Sequence, residues 1–154
     1  MASFAIDVSY SQVCVFLASQ PNPFNNWTEQ HVAQGFAWRP GSVSFRTLDD
    51  GALAVSVTRT RRFDETSTAT RIIRVPFGVP VGKRVEIGSM FDSQQIELPA
   101  GDYALIFEHG YDSEGKMWCN LLFEPVVQAV QASVLRADKE LKPSEQLLME
   151  AEPA

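Results

Sequence analysis

The sequence predicts a mostly β fold: an antiparallel β-sandwich of about eight strands with one short helix and a C-terminal tail. Three observations lead there. Short apolar segments alternate with polar residues at a period of two, as strands burying one face do. Turn-forming clusters separate them along most of the chain, and strands do not alternate with helices as a parallel α/β sheet requires. With 154 residues, 45% apolar and 21% charged, the chain has the size and composition of one globular domain able to bury its own core.

The first strand is read from Phe4, Ile6 and Val8, which alternate with Ala5, Asp7 and Ser9. Val13 to Ala18 is apolar on both faces, the pattern of a central strand covered on each side. Pro21, Asn22 and Pro23 break regular structure, and Asn26-Trp27-Thr28-Glu29 then reads as a helix start. Asn26 is the expected cap, Glu29 the returning N3 residue and Gly35 the stop, with Trp27 and Val32 packing onto the sheet. Phe36 to Arg39 leads into a Pro40-Gly41 turn, after which Val43 and Phe45 alternate. Asp49-Asp50-Gly51 reads as a hairpin turn feeding Leu53, Val55 and Val57.

Arg59 to Thr70 is polar, charged and rich in threonine, and is expected to be an exposed hairpin tip returning through Arg71 to Val75. After the rigid Pro76–Gly82 connection come two short strands, around Val85 and Ile87 and around Ile96 and Leu98. The Pro99–Asp102 turn then sets up Tyr103, Leu105 and Phe107 on the next strand. Met117 to Phe123 is apolar at nearly every position. Ala132 to Asp138 reads as a last edge strand, and Ser144 to Glu150 as a short helix or a disordered tail. This divides the chain into a β-sandwich domain over residues 1–138 and an acidic tail over 139–154.

Composition limits the chemistry. The two cysteines, Cys14 and Cys119, lie 105 positions apart in apolar surroundings, which suits buried thiols better than a metal clip. No segment approaches the roughly 20 apolar residues of a membrane span, and the start of the chain lacks a basic signal-peptide region, so a reducing cytoplasm is the expected compartment. The net charge of −6 disfavours direct contact with nucleic acid or an anionic membrane. That charge is unevenly spread, with seven basic residues against two acids from Arg59 to Arg84, and eight acids against four bases from Asp112 onward. There is no nucleophile elbow, phosphate loop, His-Glu-x-x-His or Cys-x-x-Cys pattern, so no cofactor, no metal and no catalytic residue is assigned. His31, on a predicted surface helix, and His109, at a strand end, read as ordinary residues rather than a catalytic pair.

What remains is surface. Trp27 and Trp38 are assigned to the core. Trp118 is open to either role, because Met117, Cys119, Leu121 and Phe123 would occupy the opposite face of its strand. The Asp49-Asp50-Gly51 turn and the Asp112-Ser113-Glu114 turn are exposed in any arrangement, and aromatic residues dominate binding hot spots. The candidate partner-binding residues are therefore Asp49, Asp50, Tyr111, Asp112, Glu114 and Trp118.

The run from Asn26 to Arg39 (Asn-Trp-Thr-Glu-Gln-His-Val-Ala-Gln-Gly-Phe-Ala-Trp-Arg), followed by Gly41-Ser42-Val43-Ser44-Phe45, resembles the bacterial competence protein J family. Val75-Pro76-Phe77 and Leu98-Pro99-Ala100-Gly101-Asp102-Tyr103 agree in the same order, so the resemblance spans about residues 4–110. It implies a stoichiometric protein inhibitor of a DNA nuclease, serving competence or, like an immunity protein, protecting against a toxin. It carries no inhibitory motif across residue by residue. An acidic face would then cover the basic cleft with which a nuclease binds phosphates. Two readings of other classes stand beside it: a module binding a small ligand or carbohydrate through Trp38, Tyr111 or Trp118, and an enzyme using His31 or His109 as base.

Overall fold

The computed structural model of the chain describes residues 2–154. Among them, eleven strands form two sheets. One is six-stranded, in the order β1 (Ala2–Val8), β5 (Gly51–Arg59), β10 (Met117–Pro125), β9 (Gly101–Tyr111), β6 (Arg71–Val79), β11 (Ser133–Arg136). The other is five-stranded, in the order β3 (Phe36–Arg39), β4 (Ser42–Arg46), β2 (Gln12–Leu17), β7 (Val85–Ser89), β8 (Asp92–Ile96). One helix, α1 (Glu29–Gln34), connects β2 to β3.

The sandwich is thus the predicted one, with three strands more than expected and one departure from antiparallel pairing. β5 and β10 run parallel, from Met117 opposite Leu53 to Phe123 opposite Arg59. The Asp49-Asp50-Gly51 turn is not a hairpin either, since it carries the chain from β4 in one sheet to β5 in the other. Nor is the Arg59–Thr70 stretch a hairpin tip: β5 and β6 belong to one sheet but have β10 and β9 between them. Local turn chemistry is the same whether the strands it joins pair with each other or with strands inserted later.

Alternation along the strands builds the core. Ile6, Leu53, Val55, Val57, Val75, Leu105, Phe107, Cys119, Leu121 and Phe123 of one sheet meet Val13, Val15, Val43, Phe45, Val85 and Ile87 of the other. Phe45 stacks on Phe107 across the gap, centroids 4.5 Å apart and planes 8° from parallel. Met117, Cys119, Leu121 and Phe123 all point into this core, whereas Trp118 and Leu122 point outward. There they join Phe63, Ala69, Ile72, Ala104, Ile106, Val126 and Val130 in a smaller cluster. The Arg59–Thr70 stretch contributes Phe63 and Ala69 to that cluster, so it folds over the sheet instead of projecting from it. β9, covered on both faces, is buried from Tyr103 to Gly110, which is why its sequence reads as a nearly continuous apolar run. β2, the middle strand of its sheet, is likewise covered on both sides, as read from its sequence.

The helix starts two residues later than expected. Thr28 is the cap, accepting from the N–H of His31, and the His31 ring accepts from the Thr28 N–H at 2.9 Å, so the reciprocal box uses His31 where the sequence suggested Glu29. Gly35 ends it as expected, at φ +88°; a Cβ there would lie 3.0 Å from both Ile73 Cδ1 and Leu141 Cδ1. His31 and Gln34 face inward and Val32 outward, the reverse of the expected orientation, because the C-terminal segment passes over this side.

That segment is neither helical nor detached. His31 Nε2 donates to the Glu150 carbonyl (2.7 Å), Gln34 exchanges two hydrogen bonds with Leu148 (2.9 Å each), and Asn25 bridges to Pro153. Leu141 is buried in the main core, with Leu147 and Met149 packed against it. Both cysteines are free and buried. Burial pushes the Cys14 thiol up to about 12, against the smaller opposing effect of the Ser44 hydroxyl, and raises the Cys119 thiol as well. Since the thiolate is the reactive species, a disulfide-exchange reagent at pH 8 is expected to label neither cysteine of the native protein and both in guanidinium; labelling of the native protein at the denatured rate would contradict this burial.

Candidate functional site

The two histidines occupy interior positions. His31 accepts at Nδ1 and donates at Nε2, as above. His109, fully buried on β9, has Nδ1 2.7 Å from the Trp118 carbonyl and accepts at Nε2 from the Leu48 N–H at 2.9 Å. Both rings therefore have both nitrogens engaged, each neutral in one fixed tautomer. Burial, with a smaller contribution from the Arg71 charge, pulls His109 down to about 4 against the opposing effect of the Trp118 carbonyl. Neither has a free nitrogen to act as a base. No group of three His, Cys, Asp or Glu side chains among the described residues is placed to hold a metal ion. Among the same residues, no helix is long and apolar enough to cross a membrane.

Another charged interior residue escaped the sequence reading. Arg71, placed there at the base of an exposed tip, has a fully buried side chain. Its Nε and one terminal nitrogen grip Asp138 (2.8 and 3.2 Å), the latter also reaches Glu140 (3.0 Å), and the other terminal nitrogen donates to the Arg46 carbonyl (2.9 Å). Burial alone would raise the Asp138 carboxyl, but the hydrogen bond and charge of Arg71 hold it below the ordinary carboxylate range. One of the seven bases of the Arg59–Arg84 stretch is thus an internal clamp for the C-terminal segment, and the positive surface there is smaller than the sequence suggests.

Five of the six candidate residues gather at one end of the sandwich. Asp49, Asp50 and Tyr111 line a shallow depression of about 390 Å³ together with Gly115 and Lys116, and Asp112 and Glu114 lie on the same β9–β10 hairpin tip. Each acid is held by local bonds. Asp50 accepts from the N–H and hydroxyl of Ser11 (2.6 and 3.2 Å), and Asp49 accepts from the Asp50 N–H (2.8 Å). Asp112 accepts from the N–H groups of Glu114 and Lys116 (2.8 and 3.0 Å), and these, Lys116 first, lower its carboxyl below the usual range. Glu114 reaches Lys116 at 3.5 Å. These hydrogen bonds hold Asp49, Asp50 and Asp112 in place. Trp118 does not join them: its ring is half-buried in the outer apolar cluster.

The aromatics proposed for a small ligand do not converge. Trp38 lines a groove of about 680 Å³ at the opposite end of the sandwich, with Phe77 and Tyr103 but without Tyr111 or Trp118. The Trp38 indole N–H is already donated to the Pro76 carbonyl (2.7 Å) and the Tyr103 hydroxyl to the Pro99 carbonyl (2.7 Å). Asp102 is the only charged residue among those lining the groove. A ligand site needs a few polar groups aimed inward to orient what it binds.

Fold and site together define a β-sandwich whose histidines, thiols and buried ion pairs serve its own architecture, and which presents an acidic end to solvent. Residues 5–124 match the competence protein J (ComJ) family, and the chain belongs to that family. It is 27% identical over 101 residues to the DNA-entry nuclease inhibitor of Bacillus subtilis (strain 168), covering 65% of this chain and 75% of that one. Its fold matches the crystal structure of ComJ from Bacillus subtilis, described as an inhibitor of the DNA-degrading activity of NucA, with a TM-score of 0.73 at 20% identity. That match covers 82% of this chain and 96% of the other.

Proposed function

We propose that this protein is a stoichiometric inhibitor of a DNA nuclease rather than an enzyme, and that it acts by covering the nuclease's active cleft with its acidic end. Membership of the ComJ family carries the reading, because the relative from Bacillus subtilis is a DNA-entry nuclease inhibitor. The placement of Asp49, Asp50, Asp112 and Glu114 supports the mode of action. A nuclease must hold phosphates in a basic cleft, and fixed carboxylates on a rigid scaffold complement that field and speed encounter.

The test is titration of the purified chain into NucA from Bacillus subtilis with plasmid DNA as substrate. Cleavage is expected to stop near one equivalent, and DNA added before the inhibitor is expected to slow inhibitor association in proportion to its concentration, as competition for the cleft must. Full cleavage at large excess would overturn the reading, and association indifferent to DNA would overturn the cleft-covering mode. Glu114→Lys, on an exposed tip, is expected to slow association by about tenfold at low salt, with the difference shrinking as salt rises.

A further inference from the structure

Tight turns favour Asn, Asp and Gly, which are soluble and tolerate left-handed backbone. Two adjacent turns of this protein do the opposite. The β1–β2 turn holds Tyr10 and Ser11 at φ +57° and +50°, and Tyr10 is 71% exposed. The β7–β8 turn consists of Met90 and Phe91, between the paired Ser89 and Asp92, with Phe91 87% exposed. Placing a bulky residue in the left-handed region costs on the order of 1–2 kcal/mol, and the exposed Tyr10 does not recover it by packing, while Phe91 leaves a large apolar ring in water. At Gly41, Gly51, Gly82 and Gly115 the same chain uses glycine for positive φ.

These turns sit beside the acidic end. Asp50 holds Ser11 through two hydrogen bonds, the Ser9 N–H reaches the Ser89 hydroxyl at 3.0 Å, and the Asp7 N–H reaches Asp92 at 2.9 Å. Tyr10, Met90, Trp27, Val32 and Arg46 line one largely apolar depression of about 470 Å³. Asp7, Asp50 and Asp92 adjoin these turns. An apolar centre with a charged rim is the anatomy of a specific protein interface, and aromatic side chains supply its hot spots.

We infer that Tyr10, Met90 and Phe91 form the apolar anchor by which this end of the sandwich docks into the basic cleft of its partner, the acids on either side pairing with the rim of that cleft. A second copy of the chain is a poor occupant, since its acids would face these. The inference rests on the inhibitor reading and adds the surface it uses. The experiment compares the wild-type chain with Tyr10→Asn, which keeps a residue tolerant of left-handed backbone, Phe91→Ser, and the two combined. Val81→Ser and Val127→Ser serve as controls at exposed apolar positions away from this end, and NucA is the probe.

Each anchor variant is expected to weaken inhibition by about 30-fold, as loss of a hot-spot side chain does, and each control by less than about twofold. In hydroxyl-radical footprinting of the wild-type chain, Tyr10, Met90 and Phe91 are expected to lose reactivity when NucA binds. Wild-type inhibition left intact in the combined variant, or anchor residues left fully reactive in the complex, would overturn the surface and spare the inhibitor reading. A wild-type chain that never inhibits would overturn both. A dimer in light scattering that Phe91→Ser converts to monomer would assign the patch to self-association and also overturn the proposal.

Discussion

Replacing Asp138 and Glu140 together by alanine is expected to destabilise the protein by about 3–5 kcal/mol, the cost of leaving a buried charge without its partner. The Arg71 side chain has no exposed surface, whereas those of Asp138 and Glu140 retain 17% and 48%. Removing the acids strands a guanidinium that cannot reach water and cannot lose its proton. Removing the base instead, by Arg71→Met, fills the space with an apolar side chain and leaves carboxylates that can turn to solvent. Arg71→Met is therefore expected to cost less than half as much. Urea unfolding of the two variants at pH 7 decides the matter, and a larger loss for Arg71→Met would show that packing, not charge burial, dominates at this site. Because Arg71 also ties β6 to the segment bearing Leu141, the acid-free variant should expose the backbone of residues 139–154 to hydrogen exchange ahead of the sheets.

Acid is expected to weaken the fold through His109 by about 3 kcal/mol between pH 6.5 and about 4. Buried and hydrogen-bonded on both nitrogens, His109 is pulled from its ordinary value near 6.5 down to about 4. Over that interval the unfolded chain binds a proton that the folded one refuses, so falling pH favours unfolding. Above pH 6.5 the histidine is neutral in both states and has no effect on the slope; below about 4 it is charged in both, and its contribution levels off. Asp138, held low by Arg71, adds its loss only at the acid end, below the ordinary carboxylate value. Unfolding free energy measured across pH 4–7 for the wild type and His109→Gln checks this, since the variant's curve should be nearly flat where the wild type's is steep. Parallel curves would place the titrating group elsewhere.

Several features were legible from local pattern. Phe4, Ile6 and Val8 declare their strand by alternation, and the doubly apolar Val13–Ala18 run marks a strand covered on both faces. The opposed faces of β10, with Trp118 on one side and Cys119 on the other, follow from the same period of two. The Asp112–Lys116 turn and the Asp49–Asp50 turn announce themselves by composition, so most of the acidic end could be named in advance. Tyr10, Met90 and Phe91 could not, because an aromatic residue beside a strand pattern reads as core until the backbone shows it at the tip of a two-residue turn.

Local alternation and turn chemistry thus determine which segments are strands, which of their faces turn inward and where the acidic turns fall, because each depends on residues within a few positions of one another. Strand order is decided elsewhere. The parallel pairing of β5 with β10, the burial of Arg71 and the path of the last sixteen residues across α1 depend on segments brought together from distant parts of the chain. A strand's hydrogen-bonding edge carries no sequence label for its partner. An arginine's burial is set by whether two acids some seventy positions away arrive to neutralise it, and only the folded packing shows that they do.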